Sequence, residues 1–195
     1  MKRGRNIDLA IFDMDGTIFT NNIDWNDVKR KLNVKGTTIL EKIYNGKTVD
    51  KSALKYLEEI EEKNTFESVP LPGSSDFINN ISERGIKTSL VTNNSRRNAE
   101  YLLEKYGFHF DTLITRDENM WKPSPSAFKF LISKFMTSPE NTITIGDSDL
   151  DITASVKAGI SDVYIIDNAV IRGEYPVEIR YFKDYPDLNH LIFNS

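Results

Sequence analysis

The chain has 195 residues, room for one full core and a modest insertion, and its 39% apolar and 28% charged residues are the mixture of a globular protein. Its formal net charge of −4 is too mild to draw nucleic acid or an anionic membrane to the surface. The absence of cysteine excludes disulfides, thiolate nucleophiles and cysteine-ligated metal sites, and two histidines outside any metal spacing, His109 and His190, leave almost no material for a zinc enzyme or a Ser-His-Asp hydrolase.

Lys2, Arg3 and Arg5 open the chain, but the next apolar stretch is short and contains Asp13. Neither a signal peptide nor a membrane span is expected, and a cytoplasmic setting fits. The first strand is predicted over Ile7 to Phe12 and ends in the polar turn Asp13-Met14-Asp15-Gly16-Thr17. From Ile18 to Val69 the pattern is helical: Trp25, Val28 and Leu32, then Ile39, Leu40 and Ile43, then Ala53, Leu54, Leu57 and Ile60. Glu58, Glu59, Glu61 and Glu62 are expected on a solvated face, and Pro70 with Pro72-Gly73 closes the stretch.

Ser74 or Ser75 is expected to cap the next helix, with Gly85 as its stop, before a second strand from Ile86 to Val91 that ends in Thr92-Asn93-Asn94. Ser95 caps a helix closed by Gly107, and a short third strand surrounds Leu113 and Ile114. Ser124-Pro125 is read as an N-cap and first-turn proline. A fourth strand, Thr142 to Ile145, ends in Gly146-Asp147. A helix from about Leu150 then stops at Gly159, and a fifth strand covers Val163 to Ile166. Strands alternating with amphipathic helices predict an α/β fold: a Rossmann-like, doubly wound parallel sheet over residues 1–17 and 70–195, with a small all-helical cap at 18–69.

Ligands of open parallel sheets bind outside the carboxyl ends of the strands, where strand order reverses. If the first strand is central and flanked by the second and fourth, then Asp13, Asp15, Thr92, Asp147 and Asp151 share one mouth. So many carboxylates in one cleft repel each other unless a hard cation joins them, and magnesium suits oxygen ligands that share their ion with a phosphate. A carboxylate so neutralised can attack phosphorus, and a second one two residues on can protonate the leaving group. Thr92 can donate to phosphoryl oxygens, and the Lys122 ammonium can balance transition-state charge.

The segments Asp13-Met14-Asp15-Gly16-Thr17, Val91-Thr92-Asn93, Lys122-Pro123-Ser124-Pro125 and Gly146-Asp147-Ser148-Asp149-Leu150-Asp151 resemble the four ordered motifs of the haloacid dehalogenase superfamily. The helical insertion resembles the cap of its phosphoglycolate phosphatase-like branch. That resemblance implies Asp13 as nucleophile and magnesium ligand, and Asp15 as general acid/base whose backbone carbonyl also binds the metal. It implies Thr92 and Lys122 as phosphoryl holders, and Asp147 as a direct ligand. Asp151 becomes a second or water-mediated ligand that also orients Lys122. Asn93 is expected to help bind phosphate and Ser148 to add a bond at the rim.

Asp149 remains open as cap or ligand, and Arg116 is expected to pair structurally with Asp117. Trp25, Trp121 and His109 are expected to be structural, while one of Lys29, Arg30, Lys31 and Lys35 is a candidate to grip an anionic substrate. The implied activity is magnesium-dependent hydrolysis of a small phosphorylated metabolite by a monomer or homodimer, with no nucleic acid or membrane partner. The rivals are a sugar-phosphate mutase, which Lys35-Gly36-Thr37-Thr38 disfavours because it lacks the arginine of the related mutases, and a non-catalytic binding protein on the same fold.

Overall fold

Four consecutive apolar residues with no polar interruption form β1 (Leu9–Phe12), and all four side chains are buried. Such a run suits a strand covered on both faces. The computed structural model describes residues 6–44, 48–167 and 169–193; Lys2, Arg3 and Arg5, and residues 45–47 of the insertion, lie outside them. After β1 come three helices, α1 (Trp25–Lys31), α2 (Ile39–Ile43) and α3 (Lys51–Glu67), followed by α4 (Ser74–Glu83) and β2 (Lys87–Val91). The chain continues through α5 (Arg96–Tyr106), β3 (Thr112–Ile114), α6 (Ser126–Lys134), β4 (Thr142–Gly146) and α7 (Asp149–Ala158). It finishes with β5 (Asp162–Ile166), β6 (Ile179–Phe182) and α8 (Tyr185–Phe193).

The six strands form one sheet in the order β3-β2-β1-β4-β5-β6, with every neighbouring pair parallel. The expected doubly wound α/β sheet is therefore present, with β1 between β2 and β4 and the order reversing there. Phe12 is in register with Leu90 on one side and Ile145 on the other. The chain thus leaves the sheet at Asp13, Thr92 and Asp147 at nearly one level. Strand parity divides the core: Ala10 and Phe12 pack with α4, α5 and α8 residues such as Phe77, Leu102 and Leu188. Leu9 and Ile11 pack with Phe128 and Leu131 of α6 and Ala154 of α7 on the other face.

The insertion carries its own apolar cluster, in which Val28, Leu40, Ile43 and Leu57 are buried, and Trp121 joins it by stacking on Tyr44 with ring centroids 5.0 Å apart. Its entry and exit segments are laced together. Phe19 bridges Pro70, the Thr20 N–H donates to the Val69 carbonyl (2.9 Å), and Ser68 Oγ donates to the Thr20 carbonyl (2.9 Å). Among the described residues, no helix is long and apolar enough to cross a membrane.

Several local expectations change. Gly73, with φ +81°, is the N-cap of α4, and Ser74 is a buried first-turn residue with no capping bond. Pro125 is the N-cap of α6, so Ser124 stands one residue outside, where its hydroxyl accepts from the Ser126 N–H (3.3 Å). Ser95 and Gly107 bound α5 as expected. The edge strand β6 and helix α8 add to the five strands read from sequence. His109, expected to be structural, is exposed. Glu61 is not solvated: it lies at 3% exposure on the inner face of α3, in line with Ala53 and Leu57.

Candidate active site

Asp13 stands at the tip of the central strand, its N–H donating to the Ile145 carbonyl of β4 (2.9 Å). Its carboxylate is buried. Oδ2 accepts from Thr17 Oγ1 (3.3 Å), and Oδ1 forms an ion pair with Lys122 Nζ. The same ammonium donates to Asp151 Oδ1 at 2.6 Å. Asp151 Oδ2 in turn accepts from the Ser148 hydroxyl (2.6 Å) and N–H (3.1 Å), so Ser148 anchors Asp151 rather than the rim. Lys122 is fixed through its backbone as well: its N–H donates to Asn93 Oδ1 and its carbonyl accepts from Asn93 Nδ2, both at 2.8 Å. The Asn93 amide, expected on the phosphate, is therefore committed to holding Lys122.

Asp15 follows two residues later. Oδ2 accepts from Asn94 Nδ2 (3.0 Å), while Oδ1 is buried and has no partner among the described residues. The Asn94 N–H donates to Thr92 Oγ1 (3.0 Å), so the turn after β2 braces both the threonine and the acid. Two glycines make room for this crowding. Gly16 has φ +87°, and a Cβ there would run into the Asp147 carboxylate; at Gly146 a Cβ would lie 2.6 Å from the Asp151 carboxyl carbon.

Asp13, Asp147 and Asp151 each offer an oxygen within 4.8 Å of the others. Burial pushes the Asp13 carboxyl up to about 7, with Lys122 opposing and Asp151 adding to the rise. Burial also raises Asp15, against its Asn94 bond, and raises Asp147 well above the usual range, with Asp13 and Asp151 adding repulsion. Burial alone would lower Lys122, but Asp13 and Asp151 outweigh it and hold the ammonium above its ordinary value. Four carboxylates thus face one ammonium. The donors are all hard oxygens. A divalent oxygen-seeking cation such as magnesium fits this donor set. Asp13, Asp147 and Asp151 are the carboxylates placed to hold it, Asp151 with both oxygens also engaged by Lys122 and Ser148.

These groups open into a cleft of about 620 Å³ shared with the insertion, whose walls include Trp25, Ile39, Leu57 and Glu61 on one side and Leu150 and Val170 on the other. Glu61 Oε2 accepts from Arg116 Nη1 at 2.6 Å, both side chains being buried. Arg116 therefore pairs across to α3 and not with Asp117, whose carboxylate accepts from the Arg96 N–H (2.8 Å). Partial burial would raise Asp149, but bonds from the Tyr175 hydroxyl and the Gly173 and Arg172 amides outweigh it and hold the carboxyl low. Asp149 is thus neither N-cap nor metal-facing: it tethers the loop between β5 and β6.

Among the site's supports, sequence reasoning missed Asn94, Glu61 and Tyr185. Tyr185 of α8 donates its hydroxyl to the Thr17 carbonyl (2.7 Å), buttressing the first turn from far along the chain.

Residues 19–165 match the family model for haloacid dehalogenase-like hydrolases, and the chain belongs to that family. A probable phosphoglycolate phosphatase of Pseudomonas putida is 30% identical over 99 residues, which are 49% of this chain and 39% of that protein. The chain thus spans well under half the length of that relative. An uncharacterized hydrolase of Saccharomyces cerevisiae is 28% identical over 83% of this chain and 78% of its own. The solved structure of a predicted phosphoglycolate phosphatase from Haemophilus somnus shares the fold, with a TM-score of 0.68 at 20% identity, covering 95% of this chain and 97% of that one.

Proposed function

We propose that the protein is a magnesium-dependent phosphatase that hydrolyses a small phosphomonoester through an aspartyl phosphate on Asp13. The observation that carries this reading is the meeting of Asp13, Asp147, Asp151 and Lys122 at the tip of the central strand, with Asp15 two residues beyond Asp13. Asp13, Asp147, the Asp15 backbone carbonyl and Asp151, directly or through water, would hold the cation, which would supply the charge neutralisation that lets an anionic carboxylate approach an anionic phosphate.

In the first step an Asp13 oxygen forms a bond to phosphorus while the bond from phosphorus to the leaving oxygen breaks. Asp15, whose hold on a proton is strengthened by burial, gives its proton to that oxygen. In the second step Asp15 takes a proton from water, the water oxygen bonds to phosphorus, and the acyl phosphate opens to free Asp13 and inorganic phosphate. Thr92 and Lys122 hold the phosphoryl oxygens, and Asp151 keeps the lysine in place. The helical insertion, residues 18–69, acts as a cap that closes over the cleft and limits water. The cysteine-free composition suits a cytoplasmic setting.

Phosphate release from a panel of phosphorylated metabolites tests the reading. Activity is expected with magnesium, lost on chelation and lost in Asp13→Asn. Full turnover by Asp13→Asn refutes it. Conversion of a hexose 1-phosphate to the 6-phosphate without net phosphate release would point instead to mutase chemistry.

A further inference from the structure

Lys122 is held from the insertion as well as by its own carboxylate partners, along two routes. In the first, the Asn93 side-chain amide brackets the Lys122 backbone, donating to its carbonyl and accepting from its N–H, both at 2.8 Å. The Asn93 carbonyl accepts from Arg116 Nη1 (3.3 Å), and the Arg116 N–H donates to the Asn94 carbonyl (3.2 Å). The same Nη1 donates to Glu61 Oε2 of α3 at 2.6 Å, and Nη2 lies 3.9 Å from Glu58 Oε1 one turn earlier on that helix. One guanidinium therefore joins the insertion to the residue that fixes the lysine. In the second route, Trp121, which precedes Lys122 in the chain, stacks on Tyr44 of the insertion with ring planes 27° apart.

The first route is stiff. Its ion pair is buried, so solvent ions screen it little. The two bonds between Asn93 and Lys122 close a ring, so the lysine backbone moves only with Asn93. Lys122 Nζ in turn pairs with Asp13 and donates to Asp151 Oδ1 at 2.6 Å. A displacement of α3 is thereby passed to the ammonium that faces the attacking carboxylate. The exposed Arg97–Glu62 pair joins the same helix to α5 and lies outside both routes.

We propose that the insertion places the Lys122 ammonium for phosphoryl transfer, through Glu61, Arg116 and Asn93 and through Tyr44 and Trp121, with Arg116 and Tyr44 as positioning residues. This rests on the phosphatase reading above and deepens it, giving the insertion a part in the transfer to Asp13 besides covering the cleft. A displaced lysine meets the phosphoryl oxygens badly in the transition state, and a misplacement of about 1 Å costs up to about 10²-fold in rate.

Arg116→Met/Glu61→Met removes both buried charges together, which keeps the protein folded, but methionine cannot donate to the Asn93 carbonyl. The readout is kcat/KM for p-nitrophenyl phosphate with magnesium. It reports the transfer to Asp13 and makes no demand on the Asp15 proton, because nitrophenolate leaves without one. The double variant is expected to lose about tenfold in kcat/KM at near wild-type Tm. It should bind orthovanadate, a mimic of the transition state, more weakly by the same factor. Lys122→Ala removes the group being placed, so in that background the double substitution should cost less than about twofold. Tyr44→Ala should lose about threefold, while Tyr44→Phe, which keeps the ring, stays at the wild-type value. Arg97→Met should leave kcat/KM unchanged.

Wild-type kcat/KM and vanadate affinity in the double variant overturn the Arg116 route, and equal rates in Tyr44→Ala and Tyr44→Phe overturn the Tyr44 route. A loss undiminished in the Lys122→Ala background, or an equal loss in Arg97→Met, overturns both, because the substitutions then act through attachment of the insertion and not through the lysine. If the double variant does not fold, Tyr44→Ala with and without Lys122→Ala decides the same question. In each of these cases the wild type still releases phosphate and the phosphatase stands. A wild type that hydrolyses neither p-nitrophenyl phosphate nor any member of the metabolite panel overturns the phosphatase and this inference together.

Discussion

The Arg116–Glu61 pair ties α3 to the turn after β3 with both side chains out of water, at 1% and 4% exposure and 2.6 Å apart. Replacing Arg116 with methionine strands the carboxylate in that space and removes a donor from the Asn93 carbonyl, which it reaches at 3.3 Å. Breaking a buried pair from one side costs about 3–5 kcal/mol, a fall in Tm of about 10 °C for a chain of this size. The exposed Arg97–Glu62 pair, at 73% and 43%, joins α5 to the same helix and serves as the control. Arg97→Met should cost less than about 1 kcal/mol. The double variant Arg116→Met/Glu61→Met should recover most of the loss, because apolar side chains replace a buried pair nearly neutrally.

Acidity supplies a second arm. Burial pushes Glu61 from 4.5 up to about 8 against the pull of Arg116, so the folded state holds that proton more tightly than the unfolded chain. The resulting stability is fully present below 4.5 and drains away as pH rises through about 8. Without the guanidinium the folded value climbs further, so the Arg116→Met penalty should shrink as pH is lowered from about 8.5 to about 5.5. Urea unfolding of the four proteins at both pH values measures this. An Arg116→Met variant as stable as Arg97→Met, or a double variant as crippled as the single, would refute the argument.

Asp15→Asn should cut turnover of an alkyl phosphate by about 10²–10⁴-fold, and that of p-nitrophenyl phosphate far less, because nitrophenolate leaves without a proton; paired steady-state assays check the contrast. Gly16→Ala forces a methyl group into the Asp147 carboxylate at a φ of +87°, so activity should fall sharply and half-saturation by magnesium should move to higher concentration. Asn93→Ala removes both bonds on the Lys122 backbone and should cost about 1–3 kcal/mol in stability by thermal melting. It should also lower kcat, because the ammonium is then poorly placed.

The sheet and the acidic strand tips were legible because the signals are local. An apolar run followed at once by Asp-Met-Asp-Gly-Thr, or by Gly-Asp, marks both a strand and where it stops. The partners that hold those residues carry no such mark. Arg116 meets Glu61 from 55 positions away and Asn94 reaches Asp15 across 79. In Glu58-Glu59-Ile60-Glu61-Glu62 a charge run hides one buried member. Its position four residues after Leu57 and eight after Ala53, on the buried stripe of α3, was the available clue. Strand β6 escaped notice because Ile-Arg-Tyr-Phe lies at a sheet edge, half-buried, where apolar patterning is weak.

The lacing of Phe19 to Pro70 brings the two ends of the helical excursion through a single doorway in the α/β body. A segment attached that way can be lengthened, trimmed or exchanged for another without shifting the register of any strand. The same α/β body and acidic strand tips can then carry a different cover over the cleft.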